Sequence, residues 1–312
     1  MLAFVSPEIG DKAWVDAFLY PANNRACEYN FVNLLIWREK YHQKVARLCD
    51  TVVVQMRSSI GHSYLYPVGT GDRRCAIAQL EADARAHHED LRFLCLSAAH
   101  VAELEGFFPG QFTIGTERDS FDYLYRIEDM AELTGKRYQA KRNHINHFCL
   151  EYPDWRSERI TADTLPACLA MADDWYTLRE GTGQDENLRD ERVALHLAAR
   201  HYAALGMDGV LLRAGGRLVA FSIGQRIAPD TFDVFFEKAY ADVQGAYAMI
   251  NRALARHVRE TCAGVALINR EDDMGLDALR KAKASYHPVR MEEKHYAIKR
   301  LGCAAQEAGD LR

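Results

Sequence analysis

The segment from Asp233 to Ala239 carries the side chains best suited to moving a proton. Alternate residues of an extended strand share a face, so Asp233, Phe235 and Glu237 are predicted to lie together. A carboxylate among aromatic rings is poorly solvated, which raises its pKa and lets it accept a proton from an attacking amine. Asp233 fits an ion pair with a neighbouring basic side chain, whereas Glu237, at the strand end, is the predicted catalytic base.

A short loop, Gln244-Gly245-Ala246, separates this apolar strand from a helix that contains Asn251. Unpaired backbone N–H groups and the helix dipole make the N-terminus of a helix a binding place for phosphate. The three loop residues and Asn251 are therefore predicted to bind the phosphates of a donor substrate. The N–H groups near Gly245 are also suited to stabilise an oxyanion. A single glycine before a helix is equally an ordinary turn signal.

Polar side chains also follow the next buried strand, at Asn269 and Glu271. Binding sites in open α/β sheets collect at the carboxyl ends of strands. Asn269 is therefore predicted to contact the donor, and Glu271 is a second candidate for the base. The same stretch fits the start of a helix, with Asp272 or Asp273 as its cap.

Residues 136–147 form a basic segment with four formal positive charges, and no acidic residue occurs from 135 to 150. On a helix, several of these side chains fall on one flank at i, i+4 and i+7. They suit the phosphates of an RNA, a coenzyme or a lipid head group. The alternative is a solvated basic face that pairs with acids elsewhere. The candidate phosphate contacts are Arg137, Lys141 and Arg142, with His144 on the same flank.

The order of elements indicates two α/β units. A hairpin, a glycine turn, a helix, a strand, a helix and a strand follow one another in residues 51–126 and again in the last third of the chain. The predicted architecture is α/β (α+β), with domains at 1–132 and 159–304. A long basic helix over 133–158 is predicted to join them, and 305–312 is predicted to be a flexible tail.

Composition places limits on the partners. The 312 residues are 48% hydrophobic and 27% charged with a net charge of −5, which suits a globular chain without a global attraction to nucleic acid or anionic lipid. No run approaches the roughly 20 apolar residues of a membrane span, and the start of the chain is unlike a signal peptide, so a cytoplasmic location is expected. The cysteines lack a C-x-x-C pair and are predicted to be reduced. His144 and His147 lack accompanying ligands at metal spacing, so no metal site is predicted.

Three blocks together carry a family resemblance: Phe121–Tyr125 with the helix Lys136–Phe148, Phe232–Asn251, and Asn269–Val289. They resemble the C-terminal domain of phosphatidylglycerol lysyltransferases, a family of tandem GNAT-like proteins (GCN5-related N-acetyltransferases, the acyl-CoA N-acyltransferase fold). The resemblance extends over roughly residues 10 to 300. It implies two tandem GNAT-like domains and distant kinship with peptidyl transferases that use aminoacyl-tRNA.

The resemblance implies a soluble acyltransferase that moves an aminoacyl or acyl group to an amine or hydroxyl. Aminoacyl-tRNA or acyl-CoA would be the co-substrate, with no tightly bound cofactor. The acceptor would be a small molecule, a peptide or a lipid head group, and a membrane-spanning half like that of the lipid-modifying enzymes is not expected. Tyr286 would protonate the leaving group, as a tyrosine near this helix does in GNAT enzymes. Lys281, Lys283 and the basic helix would face the phosphates of the donor.

Two alternatives stay open. A conventional acyl-CoA-dependent N-acyltransferase would not depend on the basic helix. The second alternative is a binding module that kept the fold and lost the catalytic activity. Its cellular function would stay intact after Glu237→Gln and Tyr286→Phe. The first unit is expected to be structural, because it lacks an equivalent of Glu237 followed by Gln244-Gly245. The oligomeric state is left open.

Overall fold

The computed structural model describes residues 2–58, 61–181 and 185–301. Its strands are β1 (Lys44–Leu48), β2 (Thr51–Ser58), β3 (Gly61–Leu65), β4 (Val68–Gly69), β5 (Leu91–Leu96), β6 (Thr113–Thr116), β7 (Asp122–Arg126), β8 (Arg156–Arg159), β9 (Asp208–Ala214), β10 (Arg217–Ala228), β11 (Thr231–Ala239), β12 (Leu267–Asn269), β13 (Arg290–Glu292) and β14 (His295–Lys299). Its helices are α1 (Lys12–Leu19), α2 (Phe31–Ile36), α3 (Arg38–Tyr41), α4 (Arg73–Ala86), α5 (Ala98–Phe107), α6 (Ile127–Glu132), α7 (Gln139–Glu151), α8 (Leu165–Thr177), α9 (Asp185–Arg200), α10 (Tyr202–Leu205), α11 (Ala246–Thr261) and α12 (Asp277–Ala284).

The chain divides into two compact units that interleave along the sequence. Unit 1 takes the residues up to Pro7, Arg38–Arg118 and the residues from Glu293 onward. Unit 2 takes Glu8–Trp37 and Asp119–Glu292. Each unit contains its own sheet, with a mixture of helices and strands. The predicted pair of α/β units is therefore present.

In unit 1 the sheet runs in the order β1-β2-β3-β5-β14-β6, with β4 paired to β2. β2 and β3 form the predicted antiparallel hairpin. α4 begins after Asp72, whose carboxylate accepts a hydrogen bond from the N–H of Cys75, as a helix cap does. Cys75 is joined to Cys49 in a disulfide. The prediction that the cysteines are reduced is wrong for this pair, because tertiary folding brings together two residues that are 26 positions apart.

In unit 2 the sheet runs in the order β13-β7-β12-β11-β10-β9-β8. β11 and β12 pair in parallel, and α11 makes the crossover that such a pair requires. α11 buries one stripe of apolar side chains, including Met249, Leu254 and Val258, in the core that contains Phe232 and Ile268 of the sheet. This spacing of about one residue per helical turn is what a helix on a sheet face needs.

The interleaved units differ from the consecutive domains 1–132 and 159–304 that the sequence predicts. β7 pairs with β12 and β13 in unit 2, although it precedes position 132. β14 lies between β5 and β6 in unit 1, although it belongs to the last segment of the chain. Hydrophobic periodicity identifies a strand but carries no information about its partners, so it could not reveal this exchange. The predicted tail, 305–312, lies outside the described residues.

The predicted long helix over 133–158 is wrong in extent and in role. A 3-10 turn at Lys136–Tyr138 leads into α7, α7 ends before Pro153, and β8 follows. α7 lies wholly within unit 2, where Ile145 and Phe148 pack into the core beneath α11. Its apolar stripe therefore makes it part of one unit, and it does not bridge two domains.

Candidate functional site

A register shift in β11 decides which face of the sheet Glu237 occupies. Ile223 of β10 is opposite Phe236, and the next residue, Gly224, is opposite Val234, so Phe235 is an extra residue on its strand. Such a bulge reverses the alternation of faces beyond it. Glu237 consequently lies on the face covered by α11, and the prediction that it shares a face with Asp233 is wrong.

The Glu237 carboxylate is held by two donors. Its Oε1 accepts hydrogen bonds from Asn251 Nδ2 of α11 at 2.8 Å and from Arg270 Nη2 at 2.9 Å. The side chains of Glu237 and Arg270 are 12% and 14% exposed, so the ion pair is largely removed from water. Asn251 also donates to the Tyr247 carbonyl, which fixes its orientation along the helix. The predicted site residues Glu237 and Asn251 are therefore in direct contact.

Two buried polar atoms beside this ion pair have no hydrogen-bond partner in the described part of the chain. They are Nη1 of Arg270, a donor, and Oδ1 of Asn251, an acceptor. Buried polar groups are nearly always paired in folded proteins, so an unpaired donor and acceptor flanking one carboxylate indicate a place for a ligand. The ligand would need an oxygen for Arg270 and an N–H or O–H for Asn251.

Arg270 also lies against two tyrosine rings. Its Cζ is 5.1 Å from the ring centroid of Tyr286 and 5.8 Å from that of Tyr125. Burial raises the pKa of Tyr286 above its ordinary value, although Arg270 opposes the shift, and the phenol therefore stays protonated at neutral pH. Tyr286 therefore carries its proton at neutral pH, and its role in protonating a leaving group stays a prediction.

Lys141 of α7 completes this group of side chains. Its Nζ donates to Ser285 Oγ at 2.7 Å and lies 3.9 Å from the centroid of the Tyr286 ring. Burial, followed by repulsion from Arg270, lowers the pKa of Lys141 to about 8, while Glu237 opposes the shift. A lysine in this state loses and regains a proton close to neutral pH. Glu237, Asn251, Arg270, Tyr286 and Lys141 are called the Glu237 cluster below.

Asn269 and Glu271 lie on the other face of the sheet. Asn269 donates to the Arg25 carbonyl at 2.8 Å and to Asp122 Oδ2 at 3.0 Å, and its Oδ1 accepts from the N–H of Glu271 at 2.6 Å. Burial and then the Asp233 carboxylate raise the pKa of Glu271 well above its ordinary value. Asn269 therefore ties chain segments together, and Glu271 is separated from Glu237 by the sheet.

Several predicted phosphate contacts are already engaged within the protein. Lys283 is buried and its ammonium donates to the carbonyls of residues 270, 271 and 272. Arg142 donates to the carbonyls of residues 133 and 135 and to Gln139. Arg137 is paired with Asp129 at 2.9 Å. Lys281 is exposed on α12, away from these contacts. The basic segment thus supplies one member of the cluster, Lys141.

The predicted phosphate loop packs against α7. Gly245 has φ +86°, and a Cβ there would lie 2.4 Å from the backbone oxygen of His144. The N–H of Ala246 donates to the Val243 carbonyl, so it is occupied, while Gln244 is exposed. Glycine is required here for its conformation and for the close approach of a helix.

Arg270 and Tyr125 are the central residues that the sequence did not single out. Arg270 is a basic residue that directly follows a buried strand, a position at which sites collect, and this was the available signal. Tyr125 gave no such signal, because a tyrosine in an apolar strand is typical of any core.

A compact group of possible metal ligands, Cys27, Glu28 and Asp122, has ligand atoms within 4.8 Å of one another. Asp122 already accepts hydrogen bonds from the Cys27 N–H and from Asn269.

Residues 21–298 match the sequence profile of the family described as phosphatidylglycerol lysyltransferase, C-terminal. The chain belongs to this family. The match covers both interleaved units and confirms the resemblance on which the predicted fold rests. The mixed α/β architecture of this chain, with its two sheets, is that of the tandem GNAT-like fold, and the family supports acyl or aminoacyl transfer in general as the class of chemistry.

Relatives of known structure have the same fold. A conserved protein of unknown function from Bacteroides thetaiotaomicron is 36% identical, covers 96% of this chain and 100% of its own, and superposes with a TM-score of 0.88. L-PGS from Bacillus licheniformis superposes with a TM-score of 0.66 at 13% identity, over 96% of this chain and 94% of its own. At that identity the likeness is one of fold.

An uncharacterized protein of Mycoplasmoides gallisepticum is 26% identical over 177 residues, which are 54% of this chain. The match spans about half, 53%, of that relative's length. Among the described residues of this family member, no helix combines the length and apolar character needed to cross a bilayer.

Proposed function

We propose that unit 2 transfers an aminoacyl or acyl group from an ester or thioester donor to an amine or hydroxyl acceptor at the Glu237 cluster. The observation that carries the proposal is the unpaired donor and acceptor, Arg270 Nη1 and Asn251 Oδ1, on either side of Glu237. The family supports acyl transfer as the class of reaction, and the cluster supplies the groups that such a reaction uses.

The donor carbonyl oxygen fits Arg270 Nη1. Negative charge develops on that oxygen when the acceptor attacks, and a buried guanidinium that is already oriented by Glu237 stabilises it without reorganisation. An N–H or O–H of the acceptor, other than the one whose proton is transferred, fits Asn251 Oδ1. This arrangement replaces the backbone N–H groups near Gly245 that the sequence suggested for the oxyanion.

Lys141 and Tyr286 are the proposed acid–base pair. The acceptor nitrogen or oxygen forms a bond to the carbonyl carbon, and its proton passes to the neutral amine of Lys141. The carbon–oxygen or carbon–sulfur bond to the leaving group then breaks as the Tyr286 hydroxyl gives that group a proton, and Lys141 returns its proton to the phenolate. A base that titrates near pH 8 is well matched to this task. Glu237 positions Arg270, and Glu271 has no part on this face.

The proposed donor is an aminoacyl-tRNA, because the family is that of a lysyltransferase. An acyl-CoA is the alternative donor. The acceptor is a small molecule, a peptide or a lipid head group, and the assay below separates these classes.

The test is transfer of label by the purified full chain. Labelled lysyl-tRNA and labelled acetyl-CoA are each offered with small amines, with peptides and with phosphatidylglycerol vesicles. Label transferred from lysyl-tRNA is the expected result. The Lys141→Met variant should lose about 100-fold or more of the activity, as expected for removal of an acid–base group. Lys44→Met, which removes an exposed lysine of unit 1, is the matched control and should retain it.

Two other outcomes would contradict parts of the proposal. Transfer from acetyl-CoA alone would establish a conventional N-acyltransferase. Absence of transfer with every donor and acceptor, in a protein whose thermal unfolding shows it to be folded, would favour a binding module without catalysis.

A further inference from the structure

A concave groove with a cavity volume of about 300 Å³ runs beside α11 in unit 2. It opens on a different side of the helix from Asn251, which belongs to the Glu237 cluster. β8 and the residue that precedes it form the other wall. The side chains that matter for its chemistry are Trp155, Ser157, Arg159, Arg252, Arg256 and Glu260.

Arg252 is the residue that needs an explanation. Its guanidinium donates to the sulfur of Met249, and no carboxylate lies within ion-pair distance of it in the described part of the chain. Burial, and then repulsion from Arg256 one turn along the helix, lower the pKa of Arg252. Like charges at i and i+4 destabilise a helix, so the chain keeps Arg252 at some cost to its stability.

Two further charged side chains of the groove, Arg159 and Glu158, are neutralised by partners, whereas Glu260 at its edge is an exposed carboxylate. Arg159 is paired with Asp208 at 3.0 Å, and Glu158 with Arg156 at 2.7 Å. Arg256 donates to the Ala131 carbonyl, and its nearest carboxylate oxygen is 3.9 Å away. The groove thus presents a guanidinium that lacks an ion pair among the described residues beside a weakly paired one, and this arrangement suits an anion.

We propose that this groove binds a nucleotide, with the phosphate held by Arg252 and Arg256 and the planar base against Trp155. Arginine forks match the oxygens of a phosphate. Trp155 is half-buried at the groove wall and offers the aromatic surface on which a base stacks. The cavity is at the lower end of the volumes of small-ligand pockets, which suits one nucleotide unit.

The nucleotide is either free or part of an RNA strand, since both present the same phosphate and base. The inference does not rest on acyl transfer, because it concerns another face of α11 and is tested by binding alone. Failure of one proposal therefore leaves the other untouched.

The test is equilibrium binding of AMP, adenosine and a single-stranded RNA hexamer to the full chain across a salt series. AMP should bind at least about tenfold more tightly than adenosine, which lacks the phosphate. Arg252→Gln should weaken AMP binding by about tenfold or more, and Trp155→Ala by about fivefold or more. Arg200→Gln removes an exposed arginine at the end of α9 and is the matched control.

The stability of the same variants separates binding from folding. Arg252→Gln relieves repulsion from Arg256, so its thermal unfolding temperature should not fall. Arg252→Lys keeps the positive charge and the aliphatic part of the side chain but loses the planar guanidinium. This variant should bind AMP severalfold more weakly than the unchanged protein. Glu260→Gln removes an exposed acid at the groove and should tighten AMP binding.

Hexamer binding that is tighter, salt-dependent and sensitive to Arg252→Gln would identify RNA as the source of the nucleotide. AMP binding alone would identify a free nucleotide. The proposal is overturned if neither probe binds at millimolar concentration, if adenosine binds as well as AMP, or if Arg252→Gln binds like the unchanged protein.

Discussion

Glu237 and Arg270 join two neighbouring parallel strands of the unit 2 sheet through an ion pair of 2.9 Å. Arg270 directly follows β12, and the bulge at Phe235 turns Glu237 of β11 toward it. The pair lies where a parallel strand pair ends, next to α11 and the rings of Tyr125 and Tyr286. A site that depends on this ion pair depends on the register of both strands.

Glu237 and Arg270 should contribute to the free energy of unfolding as a coupled pair and not as two independent side chains. Glu237→Gln leaves the Arg270 charge without its partner in a nearly water-free site, and we expect a loss of about 3 kcal/mol in the free energy of unfolding. Arg270→Met should cost a similar amount. The loss of unfolding free energy in the double variant should be smaller, by at least about 1 kcal/mol, than the sum of the two single losses. The reason is that the double variant leaves no unpaired charge in the site. Urea unfolding of the four proteins measures this, and strictly additive losses would show that the two side chains are not coupled.

Transfer activity should follow the titration of Lys141. Its pKa is lowered to about 8, so the neutral amine that accepts a proton becomes populated as the pH rises through that value. The rate should therefore increase along a limb with an apparent pKa near 8 and then level off. The Lys141→Met variant should lose this limb together with most of the activity. If the transfer rate of the variant still rises with an apparent pKa near 8, the titrating group is not Lys141.

The same lysine should affect stability with a defined sign. Its ordinary pKa is 10.5, so between pH 8 and 10.5 the unfolded chain binds more protons at this position than the folded chain. The free energy of unfolding of the wild-type protein relative to Lys141→Met should therefore increase with pH across that window. Urea unfolding at a series of pH values measures the difference, and a difference that falls with pH would contradict the burial of this amine.

Replacing Gly245 by alanine should destabilise the protein more than the same replacement at Gly216, although both glycines have positive φ. Gly216 has φ +75° with open space around it, whereas a Cβ at Gly245 would meet the backbone of α7. Gly216→Ala should cost about 1 kcal/mol for the backbone conformation alone. Gly245→Ala should cost about 3 kcal/mol, because overpacking is added to that penalty. Equal losses in urea unfolding would mean that α7 moves away without penalty.

The disulfide between Cys49 and Cys75 should stabilise unit 1. Closing a loop of 26 residues contributes about 3 kcal/mol by restricting the unfolded chain. Dithiothreitol should therefore lower the unfolding temperature of the wild-type protein. The double variant Cys49→Ser/Cys75→Ser should already unfold at the lower temperature and should ignore the reductant. A wild-type protein that is equally insensitive would show that the two thiols are not joined in solution.

Local signals were sufficient for most elements of secondary structure. The hairpin of β2 and β3 and the helix α11 that contains Asn251 each depend on a few adjacent residues, and each is present as predicted. Glu237 and Asn251 were placed in one site because the strand, loop and helix that carry them are consecutive. Arg142 and Lys283 donate to backbone carbonyls within the protein, which the sequence could not reveal because a positive charge looks the same whether it meets a phosphate or a carbonyl.

Two α/β units, most of their helix and strand segments, and the family are predictable from the sequence. These follow from residue periodicity, turn chemistry and motif spacing, all of which are local. Three features emerge only in the folded chain: β7 belongs to unit 2 and β14 to unit 1, a bulge turns Glu237 toward α11, and Arg270 rather than Glu271 contacts Glu237. Each of these depends on strand pairing between residues far apart in the chain, where register and burial, rather than local pattern, set which side chains meet.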